Sequence, residues 1–106
     1  PARRMIDEFE IPVAMASDFN PGSCPSLNMQ LVMNLGYLRY RMTPEEILTA
    51  VTINPACAIG KGDEVGTLEE GKQGDLVIWD APDIEMLCYR FGSSLAAQTV
   101  KKGILV

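Results

Sequence analysis

Ile11-Pro12-Val13-Ala14-Met15-Ala16 is a short, nearly continuous apolar run, and it restricts the folds open to this chain more than any other segment does. A strand with one solvated face alternates apolar and polar residues, whereas an unbroken run fits a strand covered on both faces, as in a parallel sheet. Pro12 has no N–H to give to a ladder, so it suits the first residue of that strand and not its middle. Ahead of the run, Ala2 to Glu8 carries charged and apolar residues at helical spacing, with Met5 and Phe9 four apart, as at the end of a helix. Behind it, Ser17-Asp18-Phe19-Asn20-Pro21-Gly22-Ser23 reads as a loop, since Asn-Pro and Pro-Gly are turn dipeptides.

Helices are predicted next. Pro25 suits a first helical position with Ser23 or Cys24 as its cap, and the helix reaches about Arg39. Leu27, Leu31, Leu35 and Leu38 mark one apolar face of it, while Met29, Val32 and Met33 widen that face and imply packing on more than one side. Thr43-Pro44-Glu45-Glu46 has the residues of a capping box, and Ile47, Ala50, Val51 and Asn54 continue at helical spacing. The Asn54-Pro55 step is expected to break that helix, leaving a turn or short helix from Ala56 to Ile59 that ends at Gly60. Beyond Gly60, glycines and acidic residues surround short apolar stretches. Leu76-Val77-Ile78-Trp79 reads as a strand, Val65 to Leu68 as a weaker one, and Thr99 to Val106 as a closing hairpin with Gly103 in or near its turn. The order is thus β, α, α, then mostly β: an α/β chain.

Composition narrows the partners. The chain has 106 residues and a net charge of −5, and its nine Lys and Arg are dispersed, so no basic stripe invites nucleic acid or an anionic membrane. No apolar run is long enough to span a bilayer. Cys24, Cys57 and Cys88 are odd in number and far apart, which points to reduced thiols in a cytoplasmic protein and not to a disulfide scaffold. The chain contains no histidine. Any chemistry it takes part in therefore uses carboxylates, amides and thiols, or residues supplied by other polypeptide.

One constellation has the residue types for chemistry: Asp18 with Asn20, Gly22 and Ser23. A carboxylate at the C-terminal end of a buried parallel strand sits where α/β barrels place catalytic groups, and it can ligate a metal or accept a proton from bound water. A helix start at Pro25, with the Gly22 and Ser23 amides before it, suits a carboxylate-bearing ligand. On spacing alone the simpler account is structural, with Asp18 and Asn20-Pro21-Gly22 making a turn. The stretch from Gly66 to Ile78 is explained by turns, with Asp75 placed to accept from a turn amide. Glu45 and Glu46 belong to a helix first turn and compensate its dipole. No basic residue adjoins Cys24 to lower its pKa, so it makes a poor nucleophile.

Ala14-Met15-Ala16-Ser17-Asp18-Phe19-Asn20-Pro21-Gly22-Ser23, then Leu27-Asn28-Met29, resembles the last barrel strand and following loop of the imidazolonepropionases, a family within the amidohydrolase superfamily. The resemblance continues through Tyr40 to Glu46, Ala50 to Asn54, Gly66 to Pro82, Tyr89-Arg90-Phe91-Gly92 and Val100 to Gly103. It implies the C-terminal fragment of a metal-dependent (β/α)8-barrel hydrolase. Residues 1–60 would then be the end of the barrel, and residues 61–106 the C-terminal strands of a small composite β-sandwich. It further implies one zinc or iron ion held by about three histidines and an aspartate, which Asp18 matches. In that family a metal-activated water gives its proton to the aspartate and attacks the ring amide of 4-imidazolone-5-propanoate, yielding N-formimidoyl-L-glutamate in histidine degradation. Asn20, Gly22 and Ser23 match positions that hold the substrate or product. The family's histidine ligands and substrate-binding arginine have no counterpart here, Arg90 stands where a histidine is usual, and Gly74 where an alanine is usual. The expectation is a chain inactive by itself, which is either completed by the missing N-terminal part of the barrel or associates into a homo-oligomer. The alternative is a naturally truncated, non-catalytic relic of the same origin.

Overall fold

Thr43 begins the helix around which the rest of the chain packs. Its hydroxyl accepts from the Glu46 amide, and the Glu46 carboxylate accepts from the Thr43 amide at 2.8 Å, which completes the predicted capping box. The computed structural model describes all 106 residues. Its helices are α1 (Ala2–Asp7), α2 (Met29–Leu38), α3 (Pro44–Val51), α4 (Ile53–Ala58) and α5 (Ile84–Tyr89). A three-stranded antiparallel sheet runs in the order β1 (Leu76–Trp79), β2 (Ala96–Lys101), β3 (Ile104–Leu105). The core is small: Ile47 and Ala50 of α3 meet Met33 of α2, Met42, Ala2 of α1, and Leu87 and Cys88 of α5.

Four sequence expectations are corrected. The run from Ile11 to Ala16 is extended but belongs to no sheet; Val13, Met15 and Ser17 are half-buried, while Ala14 and Ala16 face outward. No second strand lies beside it, so its ties are to helices: Met15 N–H donates to the Ala50 carbonyl, and Asn54 Nδ2 donates to the Val13 carbonyl. Helix α2 starts at Met29 and not at Pro25, because Asn28 is the cap, its Oδ1 accepting from the Gln30 and Leu31 amides. The helix after the capping box breaks at Thr52 and not at the Asn54-Pro55 step. Pro55 sits in the first turn of α4, where an N–H has no intrahelical partner to lose. Val65 to Leu68 forms no strand, and α5, unforeseen, is capped by Asp83 Oδ1 accepting from the Met86 amide.

The leucine stripe of α2 does not face the core. Leu35 and Leu38 are exposed, as is Leu27 in the loop ahead of the helix, and Leu31 is half-buried, whereas Gln30, Met33, Asn34 and Gly36 are buried. The two amides hold the end of α5: Asn34 Nδ2 donates to the carbonyls of Leu87 and Cys88, and Gln30 Nε2 donates to those of Leu87 and Arg90, while Gln30 Oε1 accepts from the Leu95 amide beyond the helix. They satisfy carbonyls at a buried helix C-terminus that would otherwise lack partners.

The closing hairpin is as predicted. Lys102 and Gly103 both have positive φ, 53° and 76°, the signature of a two-residue primed turn. Asp75 clasps it: Oδ1 accepts from the Lys102 amide and Oδ2 from Lys101 Nζ. These contacts, Lys101 first, hold its carboxyl below the ordinary 3.8, at about 2. A carboxyl whose pKa is depressed on folding stabilises the fold above its unfolded value and loses that contribution as pH falls through the folded one. Urea unfolding followed from about pH 5 to about pH 2 should therefore show stability declining, and Asp75→Asn should flatten that decline.

Candidate functional site

Asp18 ends the extended segment and begins the loop. Its φ is 50°, a left-handed backbone unusual for any residue but glycine, though Asp and Asn enter it most readily. The carboxylate is exposed and makes no hydrogen bond or ion pair within the chain. The loop that follows closes on itself. Asn20 N–H donates to the Cys24 carbonyl at 3.0 Å, and Asn20 Oδ1 accepts from the amides of Gly22 at 2.9 Å and Ser23 at 2.8 Å. The structure thus brings Asp18, Asn20, Gly22 and Ser23 together in one turn. The Gly22 and Ser23 amides, read from sequence as free donors at a helix start, are engaged by Asn20, and the helix starts further on.

Beside the loop lies an apolar groove of about 430 Å³, whose walls include Met5 of α1, Val13 and Met15 of the extended segment, and Leu31 and Leu35 of α2. Ser17, next to Asp18 in sequence, and Cys24 also line it. Sequence reasoning missed this groove, because a leucine stripe at helical spacing looks the same whether it meets the chain's own core or another body.

The residues present do not by themselves fit a catalytic metal. No group of three or more His, Cys, Asp or Glu side chains converges anywhere in the chain. One carboxylate falls short of the three protein ligands that a catalytic zinc ion takes. Cys88, the most buried thiol, has its pKa raised by burial and then by Glu45 nearby, which keeps it protonated and inert.

This arrangement, an extended segment with helices after it and a small sheet beyond, is shared with known proteins. The chain belongs to the amidohydrolase family, whose model matches residues 1–105. Its solved relatives in shape include an amidohydrolase from Thermotoga maritima, with TM-score 0.68 and 27% identity over 91% of this chain and 23% of the other. Another is a zinc-bound adenosine deaminase from Xanthomonas campestris, with TM-score 0.76 and 24% identity over 92% of this chain and 26% of the other. In sequence it is similar to the imidazolonepropionases of Caldanaerobacter subterraneus subsp. tengcongensis and Alkaliphilus oremlandii, each 49% identical. They match 94% and 99% of this chain, which covers 24% and 25% of their respective lengths. The chain therefore spans about a quarter of the curated relatives it matches.

Proposed function

We propose that this chain supplies one catalytic carboxylate and part of the substrate loop of an imidazolonepropionase, which hydrolyses 4-imidazolone-5-propanoate to N-formimidoyl-L-glutamate. The observation that carries this is Asp18: a carboxylate with no partner in its own chain, on a left-handed backbone, in a chain 49% identical to enzymes of that name. Residues 1–60 form the end of a barrel and residues 61–106 part of a composite sheet sandwich, completed by segments like those of the relatives that this chain does not span. The leucine face of α2 and the unpaired extended segment meet that remainder. Exposed apolar side chains on Leu27, Leu35, Leu38, Ile104, Leu105 and Val106 support this, since they are too many to be ordinary scatter on a chain with eleven buried residues.

An ion, zinc or iron, would be held mostly by ligands from those other segments, with Asp18 as one. It supplies Lewis acidity when bound. Asp18 takes the proton of the attacking water and returns it to the ring nitrogen as the amide bond breaks. The loop of Asn20, Gly22 and Ser23 holds the substrate. The three unpaired thiols suit the reducing cytosol.

A chimera tests the reading. With this chain grafted in place of the matching quarter of the C. subterraneus enzyme, turnover of 4-imidazolone-5-propanoate is expected. A chimera that folds and binds metal yet does not turn over would overturn it. The second reading would then hold, a non-catalytic module that self-associates through the same exposed apolar face.

A further inference from the structure

We infer that Asn20 is a positioning residue for Asp18: its side-chain amide holds the Asp18 backbone in the left-handed region and so sets where the carboxylate points. This rests on the reading of Asp18 as the reacting carboxylate. Left-handed backbone brings Cβ close to the following carbonyl oxygen and does not persist in a non-glycine residue unless neighbours hold it. The neighbour here is Asn20. Its Nδ2 donates one hydrogen to the Asp18 carbonyl at 2.6 Å and the other to Ser23 Oγ at 3.0 Å. Its Oδ1 accepts from the Gly22 and Ser23 amides, with Ser23 Oγ at 3.3 Å as a weaker contact.

The amide has two donor hydrogens, and both are engaged within the loop. The two ends of the side chain have separate tasks: the oxygen builds the turn from Asn20 to Cys24, and the nitrogen reaches back to fix Asp18. Glycine at position 22 permits this seating, since a Cβ there would stand 3.3 Å from Asn20 Oδ1, which is a tight contact. Ser23 Oγ accepts from Asn20 Nδ2 and its hydroxyl donates back to Asn20 Oδ1 at 3.3 Å, so the two side chains brace each other.

The division of labour makes a clean test, because Asn20→Asp keeps the acceptor and removes the donor. NMR on the isotope-labelled 106-residue chain reads both halves: the strong intraresidue HN–Hα cross-peak that marks positive φ at Asp18, and hydrogen exchange at the Gly22 and Ser23 amides. In N20D the two amides stay protected while Asp18 loses its positive-φ signature; in Asn20→Ala both change. Signals from the Ile47 core serve as the control for folding. Asp18 remaining left-handed in N20D would overturn the inference, and so would a loss of Gly22 and Ser23 protection equal to that in N20A.

Kinetics of the chimera give the second arm. N20D lowers kcat by about 10–100-fold, as loss of supporting contacts to a ligating group typically does. It adds nothing further to Asp18→Asn, because the two residues act as one unit. A loss of kcat that adds to the D18N effect would overturn the inference, since the two residues would then act separately. The NMR arm needs no activity, so failure of the inference and failure of the functional reading are told apart.

Discussion

Asp18→Asn in the chimeric enzyme lowers kcat by about 10²–10⁴-fold, the range that a positioned acid–base group contributes. Asparagine is close to aspartate in size and enters the left-handed region readily, so the backbone at φ 50° has no reason to move. The carbonyl of residue 18 still accepts from Asn20, and no other contact of the Asp18 side chain exists to be lost. What disappears is a negative charge, and with it a ligand for the ion, and the capacity to take a proton. The thermal unfolding midpoint of the metal-free protein should therefore stay where it is while turnover of the metal-loaded enzyme collapses. Steady-state kinetics beside a melting curve make the comparison, and retained turnover would remove Asp18 from the chemistry.

Ile47→Ala has the largest expected effect on stability, about 2–5 kcal/mol lost, the usual range for deleting the bulk of a fully buried aliphatic side chain. Ile47 is completely buried on α3 and faces Gly36 of α2. A Cβ added at Gly36 would stand 3.1 Å from Ile47 Cγ1 and 2.9 Å from Met15 Cε, so helix backbone and side chain already touch at this point. Little remains nearby to collapse into the space. A domain of this size is stable by only about 5–15 kcal/mol, and with eleven buried residues this one has little in reserve. Urea unfolding followed by circular dichroism should show the midpoint fall steeply. A shift below about 1 kcal/mol would mean that α2 and α3 do not depend on this contact.

The parts legible in the sequence were those whose determinants are local. Thr43 to Glu46 declared a helix start because a cap needs only four consecutive residues. The run from Leu76 to Trp79 and the glycine turn at Gly103 declared a strand and a hairpin for the same reason. Asp18 with its loop was found by motif, and the loop did gather Asn20, Gly22 and Ser23 into one turn. Relations across the chain escaped. The start of α2 went to Asn28, since Ser23, Cys24 and Asn28 all fall within six residues as possible caps and only the final packing chooses among them. Helix α5 was hidden because it has six residues, too few for a period to show, and its hold on the fold comes from Gln30 and Asn34, more than fifty positions away. The apolar run at Ile11 to Ala16 looked like a strand, and its burial does alternate from Val13 to Ser17. Whether a strand is in a sheet depends on what lies beside it.

Helix α2 inverts the usual amphipathic order, with two amides inside and leucines outside. A helix held only by oil on oil can rotate about its axis or slide at modest cost, because such contacts have no direction. This one is keyed by bonds with fixed angles to particular carbonyls, so its rotation is settled before anything covers the leucines. Assembly with a larger body then has a defined order. Directional bonds orient the surface first, and the non-directional burial that supplies most of the free energy follows onto a face already aimed.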